Sequence, residues 1–361
     1  MIDLSLVPDG GLSWLDGSGP LAHIVLSTRI RLARNVAGVP FATRSTAADR
    51  RQVLERVEAA WRASAFGRGS VRFLLDELEP DDRLLLHERH LISRELVGAP
   101  AERDGGSAAA VLLSGATGVM VNEEDHLRLL TVRSGFALTQ AYADLDQLDE
   151  ALGRAVPFAF HPEFGYLTAC PTNAGTGLRA SVLIHLPGLV LTKEIGKVLQ
   201  GLTQVGLTFR GLYGEGSEVV GNFFQLSNQT TLGKSEAELL DHLGKIVRQV
   251  VAYEEQARQV LRRDAPNIIE DKVWRAYGLL RNARSLSFEE AMNLLSGVRL
   301  GVGLNLIPGV GVYTLNKLLI FTQPAHLAAG GASAATDPEA RAARAAYVRR
   351  LLDEEAVRHG A

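Results

Sequence analysis

The spacing of apolar residues changes at Ser235, and this change limits the possible folds more than any other feature of the sequence. Before Ser235, short runs rich in valine, leucine and isoleucine alternate with glycine-rich turns, which is typical of strands. After it, Leu239, Leu243 and Ile246 recur at helical spacing. Ser235 and Glu238 have the spacing of a capping box, so a long helix is predicted to begin there. A chain of 361 residues is also longer than one hydrophobic core usually supports, and we therefore predict two domains.

The part before residue 235 is predicted to mix strands with helices, and the part after about residue 255 to be helical. Strand-like runs lie at 71–75, 110–113, 118–121, 127–132 and 181–186. Helical spacing predicts helices at 50–62, 81–96 and 191–200. Further helices are predicted at 273–282, 287–296, 312–321 and 337–356, and a surface loop at 98–107.

Charge balance and cysteine content exclude several classes of protein. The 38 basic and 41 acidic side chains leave a net charge of -3, so no overall field attracts nucleic acid or an anionic membrane. Cys170 is the only cysteine, which excludes an internal disulfide and fits a reducing compartment. The apolar stretch 298–321 is interrupted by Asn305, Pro308 and Lys317, and the N-terminus lacks the pattern of a secretory signal. We expect a soluble cytoplasmic protein.

Four short segments, set among glycine-rich turns, contain arginines that are not spread like a solubilising charge. The segments are 27–31 (STRIR), 126–128 (HLR), 177–181 (GLRAS) and 210–215 (RGLYGE). Arg29 and Arg31 are two residues apart in a strand-like run and should therefore lie on one face of a sheet. Planar guanidinium groups match phosphoryl oxygens with paired donors. The pattern predicts a nucleotide-phosphate site, although any one arginine is also compatible with an ordinary ion pair.

Acidic residues accompany these arginines. Glu123, Glu124 and Asp125 precede Arg128, and Glu215 follows another arginine in a glycine-rich turn. Three adjacent acids are usually a solvated loop. Beside a phosphate site, however, acids would repel the phosphate unless a cationic acceptor needed them, and a guanidinium is such an acceptor. Cys170 is compatible both with a small buried apolar residue and with a thiolate beside a guanidinium, and its residue type alone does not decide between them.

Other nucleotide and metal signatures are not satisfied. The TLGKSE segment lacks the glycine that a P-loop requires, because position 228 is Asn. The glycines between 301 and 311 do not have the dinucleotide-binding spacing. His87 and His90 are one helical turn apart, but no third ligand lies near them in sequence, so no metal site is predicted.

Several motifs together resemble those of a known family. In chain order, STRIRLARN, NEEDHLR, CPTNAGTGLRASV, RGLYGEGSE and FQLSNQTTLGKSE resemble the catalytic signature of the phosphagen (guanidino) kinases. WRAYGLLRNARSLSFEEAMNLLSGVRLGV and FTQPAHL resemble the C-terminal region of the bacterial McsB branch, the protein-arginine kinases. The resemblance implies an α+β catalytic domain at 1–255, with a large antiparallel sheet flanked by helices. It implies an all-helical dimerisation and regulatory domain at 256–361.

The resemblance also implies a reaction and its site. The γ-phosphoryl group of ATP, bound with Mg²⁺, would pass to the guanidinium of arginine residues in proteins. Glu124 would be the base, and Glu215 and Cys170 would hold the acceptor. Matched nucleotide-binding positions are Ser27, Thr28, Arg29, Ile30, Arg31, His90, Arg128, Arg179, Ala180, Ser181, Val182, Leu183, Arg210, Gly211, Leu212, Tyr213, Gly214 and Glu215. Mg²⁺ is expected to be held mainly by nucleotide oxygens and water.

Partners and regulation follow from the resemblance alone. It implies a homodimer, an McsA-type activator, a ClpC-type unfoldase that degrades marked proteins, and a CtsR-type repressor of the stress response. The family's Arg-Asp-x-x-Arg-Ala motif for phosphoarginine is altered here to ARAARA, which keeps Arg344 and places Arg341 where the acid is expected. Allosteric phosphoarginine binding through Arg341 and Arg344 therefore stays open. Two alternative functions are a metabolic kinase for free arginine, which the short segment before Ser27 disfavours, and a non-catalytic phosphoarginine-binding adaptor.

Overall fold

A large antiparallel sheet occupies the centre of the computed structural model, which describes residues 8–98, 107–212, 219–330 and 337–358. The strands are β1 (Val25–Arg34), β2 (Val71–Leu74), β3 (Ala110–Ser114), β4 (Thr117–Val121), β5 (Leu127–Ser134), β6 (Phe160–His161), β7 (Gly165–Tyr166), β8 (Leu178–His185), β9 (Leu207–Arg210) and β10 (Phe223–Asn228). Eight of them form the sheet in the order β2-β3-β4-β5-β1-β8-β10-β9, and β6 and β7 form a separate hairpin. This arrangement confirms the predicted fold class.

Helices flank the sheet and make up most of the C-terminal part. They are α1 (Ala47–Ala63), α2 (Pro80–Glu88), α3 (Leu138–Gly153), α4 (Pro187–Leu191), α5 (Ile195–Gln204), α6 (Glu236–Asp264), α7 (Pro266–Asn282), α8 (Phe288–Gly303), α9 (Val312–Phe321), α10 (Pro324–Ala329) and α11 (Asp337–Arg358). Within the described ranges, none of these helices is both long and apolar enough to span a bilayer.

Alternation along the strands gives the sheet two different faces. Ile30 and Leu32 of β1 point into a core shared with α1, α3 and the first half of α6. Arg29 and Arg31 take the intervening positions and point to the opposite face. Separate apolar clusters cover parts of that opposite face, one with α2 and one with the C-terminal helices. The arginines lie on the polar part of the same face.

The long helix predicted at Ser235 is confirmed, and its capping box is formed. The Ser235 hydroxyl accepts a hydrogen bond from the Glu238 backbone, and the Glu238 carboxylate accepts one from the Ser235 backbone. The helix, α6, continues for 29 residues. Position 255, the predicted domain boundary, therefore lies inside a continuous helix.

Two of the predicted helices were wrong in extent. The helix predicted at 81–96 ends at Glu88, because His90 has a positive φ of 62° that the helical ladder does not permit. The helix predicted at 191–200 is divided into α4 and α5, because Lys193 also has a positive φ, of 63°. Most of the predicted loop at 98–107 lies outside the described residues.

Candidate active site

A cleft of about 740 Å³ opens on the polar face of the sheet. Its lining includes eight of the residues predicted from the sequence: Arg29, Arg31, His90, Glu124, Arg128, Cys170, Arg179 and Arg210. These residues are spread over about 180 positions of the chain and come from seven different strands or loops of the fold. The structure therefore brings the predicted phosphate-binding arginines and two of the three predicted acceptor groups, Glu124 and Cys170, into one cavity.

Other predicted residues do not present their side chains to this cleft. Ile30, Ala180 and Val182 point into the apolar core on the opposite face, so any contact from them with a ligand would come from the backbone. The Thr28 hydroxyl donates to the Gly135 carbonyl at 2.7 Å and accepts from a neighbouring backbone N–H, so it fixes the turn before α3.

The remaining predicted residues lie beside the cleft or beyond the described part of the chain. A small adjoining pocket is lined by Ser27, Ser181, Leu183 and Leu212. Gly211 is buried at the end of β9. Tyr213, Gly214 and Glu215 lie outside the described residues.

Strand register places the arginines side by side. Arg31 is the direct partner of Arg179 in the β1–β8 pair, and Arg128 stands opposite Ala33 in the β1–β5 pair. Burial, followed by repulsion from Arg179 and Arg128, lowers the pKa of Arg29 to about 10. Burial and the neighbouring Arg29 lower the pKa of Arg31 well below its usual value. These two cations are electrostatically unfavourable by themselves, and a bound anion would compensate them.

Arg128 differs from its neighbours because acids surround it. Its guanidinium donates to Glu123 at 2.9 Å and to Glu124 at 2.8 Å, and Asp125 lies 3.6 Å away. Burial opposes the charge of Arg128, but attraction from these carboxylates raises its pKa overall. The Glu123 side chain is fully buried, whereas that of Glu124 is 42% exposed. Glu123 therefore serves the structure, and Glu124 is the acid available to a ligand in the cleft.

Cys170 and Glu124 lie at the same end of the cleft. The Cys170 Sγ is 3.0 Å from the Thr172 hydroxyl, and Asn173 donates to Glu124 at 3.4 Å. Asn173 therefore connects the loop that carries the thiol to the carboxylate across from it.

A buried network that sequence reasoning missed fixes the two loops to each other. One Asp125 carboxylate oxygen accepts from Asn35 and from the Ala169 backbone, each at 2.7 Å. The Asn35 amide oxygen in turn accepts from the His126 backbone at 2.9 Å. Asp125 and Asn35 thus position the residues that precede Cys170 against the loop that carries Glu124.

A second missed network joins α2 to α10. The Glu88 carboxylate accepts from the backbone N–H groups of Ala325 and His326 and from His326 Nδ1, all within 3.1 Å. Arg89 Nε donates to His326 Nε2 at 3.1 Å, so His326 is neutral and its proton is on Nδ1. His87 and His90, which flank these residues in sequence, line the cleft. The C-terminal helices therefore hold the segment that forms one wall of the site.

The altered phosphoarginine motif lies away from the cleft, in α11. Arg344 is buried and donates to the carbonyls of Thr322 and Leu286 at 2.8 and 2.9 Å. Arg341 pairs with Asp337 at 2.7 Å on the surface of the same helix. Arg344 thus joins α11 to the end of α9 and to the loop before α8, and Arg341 is the more accessible cation.

A groove of similar volume, about 770 Å³, lies between α5 and α6. Its walls are mainly apolar, with Val198, Leu202 and Val250 among them. Lys197, the one basic residue in its described lining, pairs with Glu194 at 2.9 Å. This groove lacks the clustered donors that a phosphate needs, so the arginine-lined cleft is the candidate active site.

Comparisons with known proteins identify the family of the catalytic part of the chain. Residues 52–257 match the family described as ATP:guanido phosphotransferase, C-terminal catalytic domain. A duplicated taurocyamine kinase from Schistosoma mansoni, solved with transition state analogue components, is 27% identical with a TM-score of 0.59. The similarity covers 71% of this chain and 35% of that one. A lombricine kinase shares the fold at a TM-score of 0.56 and 24% identity, over 72% of this chain and 71% of that one. The chain has the fold of the ATP:guanido phosphotransferases and belongs to that family.

The C-terminal helices identify one branch of this family. Residues 266–359 match the family described as Protein-arginine kinase McsB C-terminal domain. A protein-arginine kinase of Moorella thermoacetica is 46% identical over 97% of this chain and 99% of its own length. That of Bacillus cereus is 42% identical over 95% of this chain and 96% of its own. The chain belongs to the McsB family of protein-arginine kinases.

Proposed function

We propose that this protein transfers the γ-phosphoryl group of ATP to the guanidinium of arginine residues in other proteins. The observation that supports this most directly is that one cleft contains the five predicted arginines together with Glu124 and Cys170. The arginines suit a polyphosphate, and the acid suits a cationic acceptor. Relatives named protein-arginine kinase that align over nearly the whole chain support a protein acceptor.

The proposed reaction is an in-line displacement at the γ-phosphorus. A bond forms between a guanidinium nitrogen and phosphorus while the bond from phosphorus to the β–γ bridging oxygen breaks, and ADP leaves with the electron pair. Free arginine keeps its proton, with a pKa above about 12, so Glu124 must accept a proton as the nitrogen attacks. Arg29, Arg31 and Arg179 hold the phosphoryl oxygens and stabilise the developing charge. Cys170, and by family resemblance Glu215, orient the acceptor.

We propose that Mg²⁺ enters with the nucleotide. In the described part of the chain, no group of three acidic, histidine or cysteine side chains is placed to hold a metal ion. Two exposed acids line the cleft, Glu95 and Glu124, and Glu124 is already bound to Arg128. Phosphate oxygens and water are then the main ligands of Mg²⁺, as is usual for this ion.

The first experiment compares acceptors. The purified protein is incubated with Mg-ATP and either an unfolded protein or free arginine, and acid-labile phosphate on arginine is measured by mass spectrometry. We expect label on protein arginine. Glu124→Gln should lower kcat by about 10²–10⁴-fold, and Cys170→Ala should also lower it, while the exposed control Glu150→Gln should not.

The alternatives give different results in that experiment. Label on free arginine alone would identify a metabolic guanidino kinase. Nucleotide binding with no label on either acceptor would contradict the proposal and favour an adaptor, unless a cognate activator restores transfer.

Partners and domain roles are proposed from family membership. We propose an McsA-type activator, a ClpC-type unfoldase that receives the phosphorylated proteins, a CtsR-type repressor as a target in the stress response, and a cytoplasmic location. We also propose residues 1–255 as the catalytic domain and 256–361 as the dimerisation domain. The exposed apolar side chains of Ile268, Trp274 and Leu279 on α7 support a subunit contact there.

Phosphoarginine binding at α11 is proposed in a restricted form. Arg344 is occupied by two carbonyl groups, so Arg341 is the residue that would have to leave Asp337 for a phosphate. We expect free phosphoarginine to give titration heats that Arg341→Ala removes. Heats that are unchanged in this variant, or absent in the parent protein, would exclude this site.

A further inference from the structure

The β6–β7 hairpin exposes large apolar side chains near the acceptor end of the cleft. Phe160 is 58% exposed, Phe164 is 47% exposed, and Leu232 from a neighbouring loop is 53% exposed. With Tyr166 they surround a depression of about 260 Å³. We refer to Phe160, Phe164, Tyr166 and Leu232 as the aromatic platform. Contiguous exposed apolar surface of this kind marks a binding site more often than isolated apolar residues do.

The aromatic platform is held firmly by the core beneath it. Tyr166 and Gly175 exchange two backbone hydrogen bonds, at 2.8 and 3.1 Å. The Arg34 guanidinium lies 3.5 Å from the centre of the Tyr166 ring and is itself paired with Asp149 at 2.8 Å. The Phe160 ring packs edge-on against Tyr166, with centroids 5.3 Å apart. Because these rings are already ordered, binding to them loses little conformational entropy.

The aromatic platform is continuous with the wall of the active site. Thr231 lines both the cleft and the depression. Its hydroxyl bonds the carbonyls of Thr172 and Ala174 at 2.9 and 2.7 Å, in the loop that follows Cys170. Phe164 and Cys170 are six positions apart in the sequence, so their Cα atoms are at most about 21 Å apart. An extended polypeptide covers that distance in about six residues.

We infer that the aromatic platform binds an apolar or aromatic side chain of the acceptor polypeptide, within about six residues of the arginine that is phosphorylated. This inference rests on the proposed function and specifies its substrate class. Folded proteins bury most such side chains, so the aromatic platform selects unfolded segments. The rim residues Glu163, Lys234 and Glu236 leave an excess of one negative charge, which suits a segment that carries arginine.

The test uses two peptides of equal length, each with a single arginine. One has phenylalanine and leucine three to six positions from the arginine, and the other has serine at those positions. Phosphorylation rates give kcat and KM, and fluorescence anisotropy gives binding separately from turnover. We expect kcat/KM to favour the aromatic peptide by about tenfold, mainly through KM.

Substitutions in the protein test whether the aromatic platform causes the preference for the aromatic peptide. Phe164→Ser and Phe160→Ser should each remove most of the preference and leave turnover of the serine peptide unchanged. Val205→Ser, which changes an apolar residue of similar exposure, 42%, at the end of α5, should keep the preference. A loss of preference in all three variants would mean that the aromatic platform is not responsible.

Other outcomes overturn the inference in distinguishable ways. Equal kcat/KM and equal affinity for the two peptides in the parent protein would reject the aromatic platform and leave the proposed function intact. No phosphate on either peptide, with or without a cognate activator, together with equal binding, would reject both. A change in oligomeric state in Phe164→Ser, with the peptide preference retained, would show that a second copy of the chain covers the surface.

Discussion

At the scale of single residues, Arg31 and Arg128 illustrate two kinds of buried cation. Arg31 Nε is inaccessible to solvent and lacks a hydrogen-bond partner within the described ranges, and the partner of Arg31 on β8 is another arginine, Arg179. Arg128 instead neutralises buried acids. Arg31 is therefore suited to binding a ligand, and Arg128 to stabilising the fold. The same substitution should have opposite effects on the stability of the ligand-free protein at the two positions.

Arg31→Met should stabilise the ligand-free protein and abolish its response to ATP. Removing an unpaired buried donor should raise the free energy of unfolding by about 1 kcal/mol. ATP at a hundred times its Kd should stabilise the parent protein by about 2.7 kcal/mol, and the variant should lose this gain. Urea unfolding with and without Mg-ATP measures both effects, and a destabilised variant that still responds to ATP would contradict the assignment.

Arg128→Met should be strongly destabilising even without a ligand. It leaves the Glu123 carboxylate buried without its partner, which costs about 3–5 kcal/mol. The same urea titration measures it. A loss below about 1 kcal/mol would place Arg128 with the other phosphate-binding arginines.

At the scale of elements, the Glu88 carboxylate fixes α2 to α10, and Glu88→Ala tests that connection. The change leaves the Ala325 and His326 N–H groups buried and unsatisfied, at a cost of about 1–3 kcal/mol. His87 and His90 should also lose their position in the cleft, so KM for ATP should rise more than kcat falls. Steady-state kinetics and urea unfolding, with exposed Glu55→Ala as the control, measure this. An unchanged KM would confine Glu88 to a purely structural role.

The elements also show what the sequence can predict. Side chains alternate along a strand, and this predicted that Arg29 and Arg31 lie on one face. The capping residues predicted the start of α6. Both predictions succeeded because they depend only on residues close together in the sequence. The end of α2 was missed because leucines continue at helical spacing beyond it. What stops the helix there is His90 in a left-handed conformation, in a segment fixed by contacts with α10.

The site was predictable only where its residues belong to recognisable motifs. The arginines, Glu124 and Cys170 were found in this way. The groups that position them were not, because Asn35 and Asp125 are 90 residues apart, and Glu88 and His326 are 238 apart. Such pairs have no local signature, since each residue alone looks like an ordinary polar side chain exposed to solvent.

At the scale of the whole molecule, buried histidines predict how stability depends on pH. Burial is the main cause that lowers the pKa values of His126, His185 and His326 in the folded protein. Their contribution to the free energy of unfolding is complete at pH values above the ordinary histidine pKa of about 6.5. It is lost as pH falls further, because the unfolded chain then binds protons that the folded chain does not. For each histidine, the free energy of unfolding should change with pH by at most about 1.4 kcal/mol per pH unit.

Urea unfolding at pH 7.5, 6.5 and 5.5 measures this dependence. His185→Asn should reduce the slope, and the exposed control His23→Gln should leave it unchanged. Stability that stays constant over this range would mean that the buried histidines titrate normally.

The length of α6 has a consequence for how the molecule melts. Its first half packs in the core beneath the sheet, where Leu243 and Val247 are fully buried, and Leu261 near its end contacts the core of the C-terminal helices. The rod is about 43 Å long, at 1.5 Å for each of its 29 residues. Because one rod belongs to both cores, heat should disrupt both in a single cooperative transition, with calorimetric and van't Hoff enthalpies that agree. A substitution that disrupts α6 at any point should then lower the melting temperature of both cores. The catalytic part would therefore be no more stable to heat than the C-terminal helices.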